Sequence, residues 1–130
     1  MIEEWIKELK EDTQLDFKKF ETNFGIANKM AKWLERKENL VSKLIELEKK
    51  RRKVERELFE YYKTDYDLTL NTKEEIKLMV QSDPKFLEID NQVKETERLI
   101  KFIDKAIDFL KTKVWEVKYY LEWKKYIEGV

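Results

Sequence analysis

Five consecutive cations, Lys49, Lys50, Arg51, Arg52 and Lys53, open the stretch KKRRKVERELFEYYKTDYDL at residues 49–68. Side chains of this type, gathered on one surface, neutralise a polyanion and release its counterions. Successive helical residues advance about 100°, so Lys49, Arg52, Lys53, Arg56 and Lys63 fall within about 100° of one another on a helix. Leu44, Leu47, Val54 and Leu58 fall on the opposite side. The cations therefore form a stripe roughly 20 Å long that faces away from an apolar seam. Glu60 lies within the stripe and Glu46 at its edge, which dilutes it. Like charges at helical spacing repel by about 0.2–0.5 kcal/mol per pair, and an anionic ligand removes that repulsion. Tyr61 and Tyr62 follow the cations, and stacking of bases on aromatic rings holds single strands without sequence preference. Tyr61 continues the seam, however, and Tyr62 points closer to the seam than to the stripe, so core packing is the competing role of both. A solvated helix face is the competing role of the stripe.

The composition excludes most other chemistry. The 130 residues carry 28 basic and 28 acidic side chains, so attraction to a polyanion must come from local segregation of charge. Histidine and cysteine are absent, which removes the commonest general base, metal ligand and thiol nucleophile. Two isolated glycines cannot build a phosphate-cradling loop. No focused cluster of carboxylates stands out. The expectation is a protein with no catalytic residues, no metal site and no cofactor. No apolar run is long enough to span a bilayer and no signal-like segment opens the chain, so a soluble, intracellular protein without membrane contact is expected.

The elements that would position the stripe are helices. Charged residues make up 43% and hydrophobic residues 42%, with one proline, a balance suited to long amphipathic helices. Ile2, Trp5, Ile6 and Leu9 predict a short acidic helix over 1–12. A long helix is predicted over 16–63, with Asp16 as N-cap. Phe17, Phe20, Phe24, Ala27, Ala31 and Leu34 alternate in steps of three and four, the mark of a heptad seam. That seam blurs across Glu35–Asn39, where a kink or break would be cheapest. It resumes at Leu40, Leu44, Leu47, Val54, Leu58 and Tyr61, with Arg51 intruding. Gly25, inside this helix, costs about 1 kcal/mol relative to alanine, and close approach of another backbone would explain it. A connection over 64–72 follows. Thr72 with Glu75 forms a capping-box pattern opening a short helix over 73–81. Asp83 and Pro84 then supply the N-cap and first turn of a second long helix over 84–128, ending at Gly129. Its seam runs Phe86, Ile89, Val93, Thr96, Ile100, Ile103, Ile107, Leu110, Val114, Val117 and Leu121, with a second row at Leu99, Phe102, Ala106 and Phe109. The predicted fold is a single all-α domain, a long antiparallel helical hairpin with short accessory helices.

The last helix carries more aromatic surface than a hairpin can cover. Val114, Trp115, Tyr119, Tyr120, Trp123, Tyr126 and Ile127 crowd its end, and the aromatics do not share a single face. Exposed aromatics in such number mark a protein interface, so self-association is expected here. A thicker local core, with the first helix folded over it, is the alternative. Assembly into a closed ring would line up copies of a weak basic stripe and strengthen it by multivalency.

The segments RELFEYYKTDYDL (56–68), KEEI (73–76), SDPKF (82–86) and VKYYLEWKKYIEG (117–129), in this order and spacing, resemble the UvsY family of phage recombination mediators. The resemblance covers most of the chain and is strongest from Arg56 onward. It implies a small helical protein assembling as a homo-oligomeric ring of six or seven subunits. It implies binding to single-stranded DNA and to a RecA-like recombinase, whose filament it helps to nucleate in place of single-strand DNA-binding protein, in the cytoplasm of an infected bacterial host. The family's DNA-contacting basic helix falls on Lys49 to Arg56, and its oligomerisation segment on Trp115 to Ile127. Some members carry a second basic residue where this chain has Leu58, so only the Arg56 position of that pair is kept. The candidate nucleic-acid contacts are thus Lys49, Lys50, Arg51, Arg52, Lys53, Arg56, Tyr62 and Lys63. The alternatives are a structural coiled-coil or scaffolding protein, in which the stripe only solubilises, and an adaptor that engages a partner helix without touching DNA.

Overall fold

The computed structural model describes residues 1–13, 22–65 and 72–129, with the backbone alone at 22–24. These residues form four α-helices and no strand: α1 (Ile2–Asp12), α2 (Thr22–Glu60), α3 (Lys73–Ser82) and α4 (Pro84–Glu128). A π-helical turn, Tyr61–Asp65, continues α2. The expected N-cap Asp16 and the seam positions Phe17 and Phe20 lie outside the described residues, as do residues 66–71 of the expected connection. The chain divides into two compact units, Met1–Asn39 with Leu99–Val130, and Leu40–Arg98.

In the Leu40–Arg98 unit, Leu47 packs with Ile89 and Val93, while Leu58 and Tyr62 pack with Ile76 and Val80. Val54 touches both clusters, and Phe86 joins the second. Contacts rise along α2 as they fall along α4, so the two helices run antiparallel within this unit. Each aliphatic side chain buried here contributes about 1.5–3 kcal/mol of transfer free energy. The short helix α3 starts where its cap dictates: the Thr72 hydroxyl accepts from the Glu75 N–H at 3.1 Å. Asp83 does two jobs at the next junction. One carboxylate oxygen accepts from the Lys85 N–H at 2.8 Å, capping α4, and the other accepts from the Tyr62 hydroxyl at 2.7 Å.

The unit formed by Met1–Asn39 and Leu99–Val130 is organised around Trp33, which is fully buried. Its ring meets Trp5 of α1 edge-on at 5.8 Å and Phe102 of α4 at 6.1 Å. The indole N–H donates to Asp12 Oδ2 at 3.0 Å, and Lys32 reaches the same oxygen at 2.7 Å. Arg36 forms a bidentate pair with Glu8, and its guanidinium lies 4.8 Å from the Trp33 ring centroid and 5.5 Å from that of Trp5. The acidic first helix thus finds its cations on α2, with the rings of Trp5 and Trp33 beneath the Arg36 guanidinium.

The first half of α2 buries a different face from the one its spacing suggested. Ile26 and Trp33 are buried, whereas Ala27, Ala31 and Leu34 are exposed. Carrying the register of Leu40, Leu44, Leu47, Val54 and Leu58 backwards gives Lys37, Trp33, Met30 and Ile26. The seam therefore does not blur at Glu35–Asn39, where α2 is continuous; it was displaced by one residue. Lys37 occupies a seam position because its ammonium meets Asp104 at 2.6 Å. Gly25 is not explained by a close approach: among the described residues nothing lies within 4 Å of where its Cβ would stand. Along α4 the wide stripe is buried or half-buried from Ile89 to Val117 except at Phe109, which is exposed, as is Leu121.

Glu8 makes the stability of this layer pH-dependent. The hydrogen bond from Arg36, reinforced by Lys32 and opposed by burial, lowers its pKa from 4.5 to about 2. A depressed carboxyl stabilises the fold fully above its unfolded value and progressively less as pH falls toward the folded one. Thermal melts of the parent and Glu8→Gln should therefore differ by a constant amount above about pH 5 and converge as pH falls from 4.5 toward 2.

Candidate nucleic-acid interface

Because α2 is unbroken, it presents Lys49, Arg52, Lys53 and Arg56 along one line, and all four are exposed. Among the described residues, no carboxylate lies within 4.0 Å of Lys49, Lys50, Arg52, Lys53, Arg56 or Lys63. Glu57 and Glu60 follow Lys53 and Arg56 by four residues, the less favourable order for a helical ion pair, and neither closes one. The stripe is therefore a run of solvated cations that close no ion pair among the described residues. Lys50 is exposed off its edge, and Lys63 is exposed within the π-helical turn, where the α-helical register no longer aligns it with the others.

Two of the candidate contacts are not brought to this surface. Arg51 points into the seam and pairs with Asp90 at 2.9 Å, a carboxylate that Lys94 holds at the same distance. These two cations, Lys94 foremost, hold the Asp90 carboxyl below its usual range. Tyr62 is only 8% exposed, packed against Leu58, Ile76 and Val80, with its hydroxyl on Asp83. A buried ring with an engaged hydroxyl offers no face to a base. Its neighbour Tyr61, expected in the seam, is instead 46% exposed.

The sequence profile of the family described as "Recombination, repair and ssDNA binding protein UvsY" matches residues 8–130. The chain belongs to the UvsY family. Crystal structures of the bacteriophage T4 recombination mediator protein UvsY share its fold. The lattice type IV structure is 20% identical with a TM-score of 0.89, covering 97% of this chain and 98% of that one. The lattice type II structure is 21% identical at 0.89, covering 99% and 98%, and the lattice type I structure 21% identical at 0.83, covering 92% and 96%. No curated protein matches the chain.

The second expected surface of this UvsY-family chain is the end of α4. Among the described residues Val117 is the last buried one, and beyond it only Tyr120 is partly covered. Trp115, Tyr119, Trp123, Tyr126 and Ile127 are all more than half exposed, and Val114 is half-buried. Trp115, Tyr119, Trp123 and Tyr126 follow at steps of four, four and three, which places them within about 80° on the helix. Tyr120 alone among the aromatics departs from that strip. The Trp115 and Tyr119 rings stack at 6.1 Å, and the Lys118 ammonium lies 4.8 Å from the Trp115 centroid.

Sequence reasoning missed Lys85, which shares a half-open cavity with Tyr61, Glu57 and Asp83. The signal was available: antiparallel pairing with the Asp83-Pro84 helix start sets Lys85 in the first turn of α4, beside the end of α2. Among the described residues no helix is long and apolar enough to cross a membrane, and no three carboxylates group as a metal site.

Proposed function

We propose that this chain is a non-enzymatic recombination mediator that binds single-stranded DNA through Lys49, Lys50, Arg52, Lys53, Arg56 and Lys63. The carrying observation is the selective pairing of cations: Arg51 is neutralised inward by Asp90, while its exposed neighbours meet no carboxylate among the described residues. Such a surface exchanges bound counterions for DNA phosphates, so its affinity falls as salt rises. Family membership supports the same reading. The mediator acts by differential binding, stabilising a strand conformation that a RecA-like recombinase prefers and single-strand DNA-binding protein does not. Its place of action is the cytoplasm of the infected host.

The aromatic strip at the end of α4 supports self-association into a homo-oligomeric ring of six or seven subunits, in which several weak stripes act together. Light scattering should give a multiple of the chain mass for the intact protein and the monomer mass for a chain ending at Lys113. A monomer in both cases contradicts the ring. For DNA binding, fluorescence anisotropy with labelled oligo-dT should show affinity at low salt that drops steeply at moderate salt. A scaffolding protein with a merely solubilising stripe would show none at either.

A further inference from the structure

Resting on that reading, we infer that Tyr61 is a stacking platform for one nucleobase of the bound strand, held over the cavity at the junction of α2 and α4. The cavity has a volume of about 350 Å³ and is bordered by Tyr61, Tyr62, Val54, Glu57, Asp83 and Lys85. Two adjacent tyrosines divide the work. Tyr62 is anchored by its 2.7 Å hydrogen bond to Asp83, and its ring meets Tyr61 at 5.0 Å and 74°. Tyr61 is thereby braced from one side while 46% of it stays open to solvent. A ring positioned in advance loses little side-chain freedom when a base settles on it.

Charge around the cavity selects a base over a phosphate. Glu57 borders the opening and repels an anion, while both Asp83 oxygens are already occupied, by the Tyr62 hydroxyl and the Lys85 N–H. The lining thus carries two carboxylates, Glu57 and Asp83, against one cation, Lys85. Lys85 is exposed at the rim, and Lys53 precedes Tyr61 by about 12 Å along the helix axis. A strand running along α2 can therefore lay its phosphates on the lysines and turn one uncharged base inward onto Tyr61. Stacking of this kind is sequence-tolerant, because every base has a π face.

The test compares labelled oligo-dT with an abasic phosphodeoxyribose oligomer of the same length, using the full chain. The parent should bind oligo-dT about tenfold more tightly than the abasic strand, a comparison that needs no variant. Tyr61→Ala should remove most of that preference and leave abasic affinity and the salt slope unchanged, whereas Tyr61→Phe should keep it. Equal affinity of the parent for both strands overturns the stacking role while leaving the phosphate-binding stripe standing. So does a Tyr61→Ala variant that retains the full preference. Binding to neither strand overturns the DNA-binding reading together with this one.

Discussion

Replacing Trp33 by alanine is expected to destabilise the protein by about 3–5 kcal/mol, read as a lower denaturation midpoint at fixed protein concentration. Trp33 is fully buried, so truncation leaves a cavity in addition to the lost transfer free energy. The loss spreads through its partners. Trp5 and Phe102 each lose a ring neighbour, and the Arg36 guanidinium loses one of the two rings beneath it. Asp12, itself buried, loses the indole donor and keeps Lys32. Trp33→Phe separates these effects: it retains most of the packing and costs about 1 kcal/mol, chiefly through the lost indole hydrogen bond to Asp12 Oδ2, which Lys32 still reaches. An alanine variant as stable as the parent would show that α1 is not held by this layer.

Reversing the charge of Lys49, Arg52, Lys53 and Arg56 together should weaken oligo-dT binding by at least about a hundredfold while leaving the fold intact. All four side chains are exposed and form no ion pair among the described residues, so glutamate at these positions breaks none. Arg51 supplies the internal contrast. Arg51→Ala removes the cross-helix partner of Asp90 and should lower stability with little change in DNA affinity, although it sits in the same run of five cations. Tyr62→Phe should behave likewise, costing about 1 kcal/mol through the lost hydrogen bond to Asp83. If Arg51→Ala and the fourfold reversal weakened DNA binding equally, the division between inward and outward cations would be wrong.

Much of this architecture was legible in the residues because helical periodicity records which face is buried. Along α4 the apolar steps from Ile89 to Val117 lead directly to the core. The caps were equally plain, since Thr72 and Asp83 place a side-chain oxygen where a helix start needs an acceptor. The first half of α2 misled for a physical reason. Its true seam includes Lys37, and a cation in an apolar stripe becomes intelligible only once Asp104 is seen opposite it. Small residues at Ala27 and Ala31 then gave the adjacent face a regular apolar spacing without the bulk to fill a core. The stripe was legible from charge spacing alone, but its membership was not. Arg51 required knowledge of Asp90 across the helix pair, and the division of labour between Tyr61 and Tyr62 required Asp83. The pairing of Glu8 with Lys32 and Arg36 was hidden for the same reason, since ion pairs between helices leave no periodic trace.

The stripe itself is tested most directly by the salt dependence of oligo-dT affinity, measured for the parent and for a variant with alanine at Lys49, Arg52, Lys53 and Arg56. Each phosphate contact on a single strand contributes about 0.7 to the slope of log affinity against log salt, so the variant's slope should be shallower by about 3. Alanine at Lys101 and Lys105, exposed cations of α4 outside the stripe, should leave the slope as it is. A fourfold variant with the parent's slope would mean that DNA phosphates lie elsewhere on the protein.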